Sequence, residues 1–236
     1  MSLTQKIEQT KTLLQQIERD WAPATFANSF GAEDMVLTDL IAKNAAKIEI
    51  FSLDTGRLHG ETYKLMGQAR EKYTNVTFKA YYPNAAAIEE FVNKNGINAF
   101  YQSVEMRKGC CGIRKVEPLK RALAGKKAWI TGLRREQAVS RTELAVSEFD
   151  QGNGLQKFSP LADWTLADVW AYIRENNVPY NELHDRNFPS IGCEPCTRAI
   201  AVGEDVRAGR WWWENPETKE CGLHPAGGKA ATATAK

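Results

Sequence analysis

The residues of this chain best equipped for chemistry are its five cysteines, and they fall into three groups. Cys110 and Cys111 are adjacent, Cys193 and Cys196 flank Glu194-Pro195, and Cys221 stands within Glu220-Cys221-Gly222-Leu223-His224. Adjacent cysteines bridge each other only as a strained ring, and an odd total leaves one thiol over, so a disulfide framework fits poorly. The two pairs read as a metal-ligand set and Cys221 as a reactive thiol. Zinc and iron-sulfur clusters both accept four thiolates. Zinc knuckles separate paired ligands by about two to four residues, which Cys193 and Cys196 satisfy and the vicinal pair does not. A cubane cluster presents separate corners, so neighbouring side chains can reach different irons. Ligand type and geometry together favour a 4Fe-4S cluster over zinc. A single buried cysteine is commonplace, but that reading does not account for two tight pairs.

Three glycine-bearing turns form the second set: Asn28-Ser29-Phe30-Gly31-Ala32-Glu33-Asp34, Ser52-Leu53-Asp54-Thr55-Gly56-Arg57 and Thr131-Gly132-Leu133-Arg134-Arg135-Glu136. Each combines a glycine, which permits close backbone approach, with hydroxyl or charged side chains, and together they could hold a nucleotide. Taken singly, each is equally compatible with ordinary helix capping. Cations gather nearby in sequence: Arg114 and Lys115 after the vicinal cysteines, then Arg134, Arg135 and Arg141, then Arg207 and Arg210 before Trp211. If they converge, they make a pocket for a compact anion or phosphate ester; scattered on a surface, arginines are ordinary. Lys115 is singled out because it follows two of the cysteine ligands so closely.

These groups need a scaffold, and the pattern predicts an α/β fold with an open, mostly parallel sheet flanked by helices. Helical spacing marks the first twenty residues, about 34–43, 61–72, 85–93 and 166–175. The vicinal cysteines are expected at the start of a further helix running toward Leu123. Strand patterns cover 24–30, 48–53, 77–82 and 127–133, and 144–149 with 155–158 reads as a hairpin. In such a sheet ligands bind beyond the carboxyl ends of the strands, where the three turns fall. After Asn176 regular periodicity fades into an irregular C-terminal segment, and 227–236 reads as a disordered tail. With 236 residues and 43% hydrophobic content, one domain over 1–226 is expected. The formal charge of +2 lacks the basic excess of a nucleic-acid binder, and no stretch approaches a membrane span. Reduced thiols and the polar N-terminus agree with a cytoplasmic location.

The combination resembles the assimilatory sulfonucleotide reductases, which reduce adenylyl sulfate or its 3'-phosphorylated form to sulfite. The resemblance runs from Ser29-Phe30-Gly31-Ala32-Glu33-Asp34 through Leu53-Asp54-Thr55-Gly56-Arg57 and Thr131-Gly132-Leu133-Arg134-Arg135 to Glu220-Cys221-Gly222-Leu223-His224. Both cysteine pairs look like those of the branch that binds a 4Fe-4S cluster and mostly uses adenylyl sulfate. Gly60, where many relatives have proline, is a small departure that bears on helix initiation. The resemblance implies a fold related to the N-type ATP pyrophosphatases, in the adenine nucleotide alpha hydrolase-like class, with Ser29 to Asp34 as a modified phosphate loop. It implies that Cys221 attacks the substrate sulfur and expels AMP, leaving an S-sulfocysteine on a mobile C-terminal segment. Lys115, Arg207, Arg210 and His224 would favour the thiolate, and Ser29, Gly31, Leu53, Asp54, Thr55, Gly56, Arg57, Gly132, Arg134, Arg135 and Arg141 would bind substrate. The cluster on Cys110, Cys111, Cys193 and Cys196 would organise the pocket through Lys115. A separate thioredoxin or similar dithiol would release sulfite, and a homo-oligomer is usual among relatives.

Further readings compete with this one. The same residues could serve a reductase acting on 3'-phosphoadenylyl sulfate or on both nucleotides, or an ATP-using sulfur-transfer enzyme of the same superfamily. A zinc-dependent nucleic-acid module would instead use Trp211-Trp212-Trp213 for base stacking. The expected role of those tryptophans is to cover the cluster region or to pack against another surface. His59 is expected near the nucleotide turns, as a binding or capping group, and His184 as a packing residue.

Overall fold

A computed structural model describes residues 1–137 and 143–215. Arg141, Cys221, His224 and the tail 227–236 lie outside the described residues. Helix α1 (Leu3–Asp20) opens with a capping box between Ser2 and Gln5, and buries Leu14 and Ile17. Strands β1 (Ala24–Ala27), β2 (Glu49–Leu53) and β3 (Phe78–Tyr81) alternate with α2 (Ala32–Asn44) and α3 (Gly60–Lys72). Helix α4 (Ala85–Asn95) follows, then α5 (Val104–Cys111), a π turn (Gly112–Val116) and α6 (Glu117–Leu123). Strand β4 (Ala128–Ile130), the pair β5 (Ser147–Asp150) and β6 (Leu155–Phe158), and helix α7 (Leu166–Glu175) complete the regular elements.

The sheet order is β3-β2-β1-β4-β6-β5. Every pairing is parallel except β5 with β6, the expected hairpin, which places one antiparallel strand at the edge. Because side chains alternate across a strand, Phe26, Ile50, Ile130 and Phe158 face the core with α1, α2, α3 and α7, while Phe51 and Trp129 pack with Leu119 and Leu123 of α6 on the opposite side. Helix α2 is buried from Asp34 to Ile41, as a helix covered on several sides must be. Its Asp39 takes the hydroxyls of Tyr73 (3.1 Å) and Tyr172 (2.6 Å), satisfying a polar group in the core.

The chain runs outward from β1 to β2 and β3 on one side and resumes with β4 on the other. That reversal opens a crevice between the carboxyl ends of β1 and β4, where α/β folds place their ligands. Two strands are shorter than their hydrophobic runs suggest. Strand β1 stops at Ala27, since Asn28 Oδ1 accepts from the Phe30 amide (2.6 Å) and Phe30 adopts φ +62°. Strand β4 is confined to Ala128–Ile130. The vicinal cysteines also sit differently from expectation. They end α5, which starts at Val104 with Ser103 as its cap, and the π turn follows them at once. The added residue of a π turn redirects the side chains after it, here Arg114 and Lys115.

Candidate active site

A cavity of about 810 Å³ occupies the crevice. Its walls include Ser29 and Gly31 from the β1 loop, Leu53 at the end of β2 and Thr55 after it, Gly132 and Arg134 after β4, and Lys115, Arg207 and Arg210 from elsewhere in the chain. Among the described residues, four of those expected to bind substrate do not line it: Asp54, Gly56, Arg57 and Arg135. Asp54 is buried beneath the turn, accepting from the Gly56 amide (2.8 Å) and the Tyr63 hydroxyl (2.8 Å), and Gly56 supplies the bend at φ +70°. Arg57 turns away over the Phe100 ring (5.0 Å) and donates to the Ile97 carbonyl (2.6 Å). Arg135 pairs with Asp163 and donates to the Leu144 carbonyl (2.8 Å).

Within the β1 loop, Asp34 Oδ2 accepts from the Ser29 amide (2.6 Å) and the Ser29 hydroxyl (2.7 Å). Burial pushes the Asp34 carboxyl up to about 7, opposed by these hydrogen bonds and reinforced by the charge of Glu33. Glu33 is held by Arg134 (2.8 Å), whose guanidinium also meets Glu136 (3.0 Å) and is almost wholly buried. Arg134 therefore ties the β1 loop to the β4 loop. Gly132 is required there, since a Cβ at this position would overlap Asp34 Oδ1 and crowd the Glu33 side chain. At Gly192, also on the wall, a Cβ would meet the Arg210 guanidinium. Arg210 stacks on Trp211 (4.8 Å) and donates to Ser190 Oγ (3.3 Å) and the Ile191 carbonyl (3.3 Å).

The four cysteines of the two pairs line a second, small cavity together with Arg57, Phe100, Arg107, Arg114, Lys115 and Trp211. Lys115, Cys193 and Trp211 line both cavities, so the two share a wall. The Cys193 knuckle is stitched to the β2 turn by a bridge with Leu58, by the Glu194 amide donating to the Arg57 carbonyl (2.8 Å), and by Thr55 Oγ1 against Cys193 Sγ (3.2 Å). Arg114 reaches the same turn, donating to the Thr55 carbonyl (2.6 Å). Burial pushes the Cys196 thiol up to about 12, with Cys193 adding to the rise and Lys115 and Arg210 opposing it. Cys110 is raised likewise, by burial first. Among the described residues, no three His, Cys, Asp or Glu side chains form a set that could hold a metal ion.

The donor set can nevertheless be tested against a cluster. A cubane core on four thiolates is a net anion, and these thiols are enclosed by guanidinium and ammonium groups. The indole N–H groups of Trp211 and Trp213, residues packed with Cys193 and Cys196, are buried without hydrogen-bond partners and are donors of the kind that sulfur acceptors use. The charges and donors around the four cysteines suit such a group. Trp211 is buried against this region, Trp213 packs edge-on to Tyr101 (4.4 Å), and Trp212 lies outermost at 39% exposure.

Asn28, Glu33 and Asp34, which the sequence placed in the first nucleotide turn without singling them out, line the wall, while His184 was missed. His184 was expected in packing; it stands edge-on to Trp170 (5.3 Å) yet lines the cavity, its Nε2 buried without a partner and its pKa lowered by burial. Only the fold brings that irregular segment to the crevice. His59 takes the N-cap position of α3 without a side-chain cap bond and does not line the large cavity.

The fold is an α/β fold of the adenine nucleotide alpha hydrolase-like class. Yeast FAD synthetase in complex with FAD shares the fold at a TM-score of 0.56 and 17% identity, over 84% of this chain and 67% of that one. The phosphoadenylyl-sulfate reductase of Candida auris, solved as a phosphate complex, superposes at 0.67 with 30% identity, covering 85% of this chain and 98% of its own. Residues 23–199 match the phosphoadenosine phosphosulfate reductase domain, and the chain belongs to that family. It is 57% identical over 212 residues to the adenosine 5'-phosphosulfate reductase of Allochromatium vinosum, which covers 90% of this chain and 82% of the relative.

Proposed function

We propose that this protein reduces adenylyl sulfate to sulfite and AMP in assimilatory sulfate reduction, which feeds cysteine biosynthesis. Its identity to adenosine 5'-phosphosulfate reductases supports the substrate, and one structural observation carries the site. The turns after β1, β2 and β4 and the cations Lys115, Arg207 and Arg210 share one cavity, and the four cysteines line a second one that shares its wall at Lys115, Cys193 and Trp211.

In this reading the β1 and β2 turns seat the nucleotide, while Lys115, Arg207 and Arg210 face its anionic end. Cys221 attacks the sulfur of adenylyl sulfate as thiolate, forming a sulfur-sulfur bond as the bond to the phosphate oxygen breaks and AMP leaves. The same cations, with His224, favour the thiolate over the thiol, whose ordinary pKa is about 8.5. A thiolate of thioredoxin or a comparable dithiol then attacks Cys221 Sγ and displaces sulfite, and its second thiol resolves the mixed disulfide. The dithiol supplies both electrons and Cys221 returns to thiolate.

Cys110, Cys111, Cys193 and Cys196 would hold a 4Fe-4S cluster. When bound, it supplies a fixed charge behind the wall that Lys115 shares, without an electron-transfer role. The segment bearing Cys221 must close on substrate and open to the reductant, in keeping with one domain over 1–226. A cytoplasmic homo-oligomer is part of the same proposal; among the described residues, no helix is long and apolar enough to cross a membrane.

The test is sulfite release by anaerobically purified protein with thioredoxin, comparing adenylyl sulfate with its 3'-phosphorylated form and including Cys221→Ser. Sulfite from adenylyl sulfate that is lost in the variant supports the reading, and no sulfite from either nucleotide refutes it. Iron and acid-labile sulfide should fall together in Cys196→Ala. Stoichiometric zinc in their place would refute the cluster.

A further inference from the structure

Arg57, expected at the substrate, borders the cysteine cavity instead, and its contacts join the two segments that carry the thiols. Its backbone carbonyl accepts from the Glu194 amide (2.8 Å), inside the Cys193 knuckle. Its guanidinium donates from Nη1 to the Ile97 carbonyl (2.6 Å) and from Nη2 to Asn98 Oδ1 (3.0 Å), and it lies over the Phe100 ring (5.0 Å). Ile97 and Asn98 open a short connection that runs through the 3-10 turn Ala99–Tyr101 to Ser103, the cap of α5. Helix α5 then ends at Cys110 and Cys111. One residue therefore holds the knuckle by its main chain and the lead-in to the vicinal pair by its side chain.

The other end of that connection is tied to the knuckle as well. The Tyr101 hydroxyl donates to the Pro195 carbonyl (2.6 Å), between Cys193 and Cys196 in the chain. Phe100 stands between the two ties, 2% exposed and packed with Cys193, Cys196 and Trp211. Moving one cysteine pair relative to the other would break the two-pronged guanidinium grip and the Tyr101 bond, and would pull Phe100 from its packing. The positive charge of Arg57 is also felt at Cys110, where it opposes the rise that burial causes.

We propose that Arg57 is a positioning residue of the cysteine site: together with Tyr101 it clasps the 97–101 connection to the Cys193 knuckle and sets the spacing of the two cysteine pairs for a 4Fe-4S cluster. Four thiolates must meet fixed corners of such a group, so the contacts that orient them govern how firmly it is held. Loss of an orienting partner typically weakens a metal site by about 10–100-fold. The inference rests on the cluster reading above and moves Arg57 from the nucleotide to the cysteines. The plain alternative, an arginine that only stabilises the fold, predicts no change in the spectrum of sites that remain loaded.

The experiment compares Arg57→Gln, Arg57→Lys and Tyr101→Phe with the parent, all purified anaerobically. Iron release to excess chelator is timed, and visible circular dichroism reads the arrangement of the thiolates around the bound iron. Arg57→Gln should release iron roughly 10–100-fold faster and alter the dichroism of the sites still loaded. Arg57→Lys keeps the charge without the planar fork, so it should restore neither property. Tyr101→Phe should release iron roughly fivefold faster, the weight of one hydrogen bond, and tests the clasp even where the Arg57 variants fail to fold. KM for adenylyl sulfate should match the parent in every variant, with kcat following the loaded fraction. Parent-like iron release in Arg57→Gln or Tyr101→Phe, full restoration by lysine, or a raised KM at unchanged iron content overturns the proposal. A parent protein that carries no iron and sulfide would instead overturn the cluster reading, and this inference with it.

Discussion

Arg107 is fully buried on α5, the helix that ends in the vicinal cysteines, and it meets Glu214 in a two-pronged ion pair at 2.8 and 2.7 Å. Its guanidinium also lies over the Trp211 ring at 4.7 Å. The pair thus fastens the C-terminal end of the described chain to the helix bearing Cys110 and Cys111. Arg107→Met keeps much of the volume but leaves Glu214, whose side chain is 3% exposed, buried without this counter-charge. Removing one partner of such a pair costs about 3–5 kcal/mol, because the remaining charge is stranded out of water. For a chain of this size each kcal/mol lowers the melting temperature by about 2–4 °C, so a fall of roughly 6–20 °C is expected. Arg107→Met with Glu214→Leu should recover much of the loss, since neither charge is then buried. Urea unfolding of parent, both single variants and the double variant measures the cycle. A single-variant loss below about 1 kcal/mol, or additive losses in the double variant, would refute the reasoning. Sulfite release should fall with the single variants, because the segment that precedes Cys221 loses this anchor.

Two further outcomes follow from the crevice. Gly132→Ala drives a methyl group into Asp34 Oδ1 and the Glu33 side chain, so AMP should bind at least about tenfold more weakly, worth about 1.4 kcal/mol; unchanged binding in equilibrium dialysis would contradict the packing. The raised pKa of Asp34 means that its protonated form suits the fold, so its contribution is whole below the unfolded value of about 3.8 and is lost as pH rises through about 7. Asp34→Asn should therefore gain on the parent between about pH 4 and 7, by up to about 4 kcal/mol, and hold that gain above. Denaturant midpoints that run parallel for the two proteins across that range would show that the carboxyl is not so perturbed.

Local signals were enough for much of this molecule. The alternation of period-two and helical patterns located the strands and helices because each buries one face, and Thr165 and Asp168 mark the start of α7 by reciprocal capping. The two cysteine pairs could be read as one set from their spacing, and the structure brings all four to one cavity. The sequence could not show that Arg134 answers Glu33 while Arg57 and Arg135 leave the cavity, because a guanidinium's partner is chosen by whatever the fold carries within reach. Nor could it show that the cysteine helix begins at Val104 and is interrupted by a π turn, since the extra residue of such a turn carries no signature in residue type. Periodicity reports which face of an element is buried. What that face meets, whether Asp34 against Ser29 or Arg107 against Glu214, depends on segments far apart in the chain, and only the packed sheet and helices decide it.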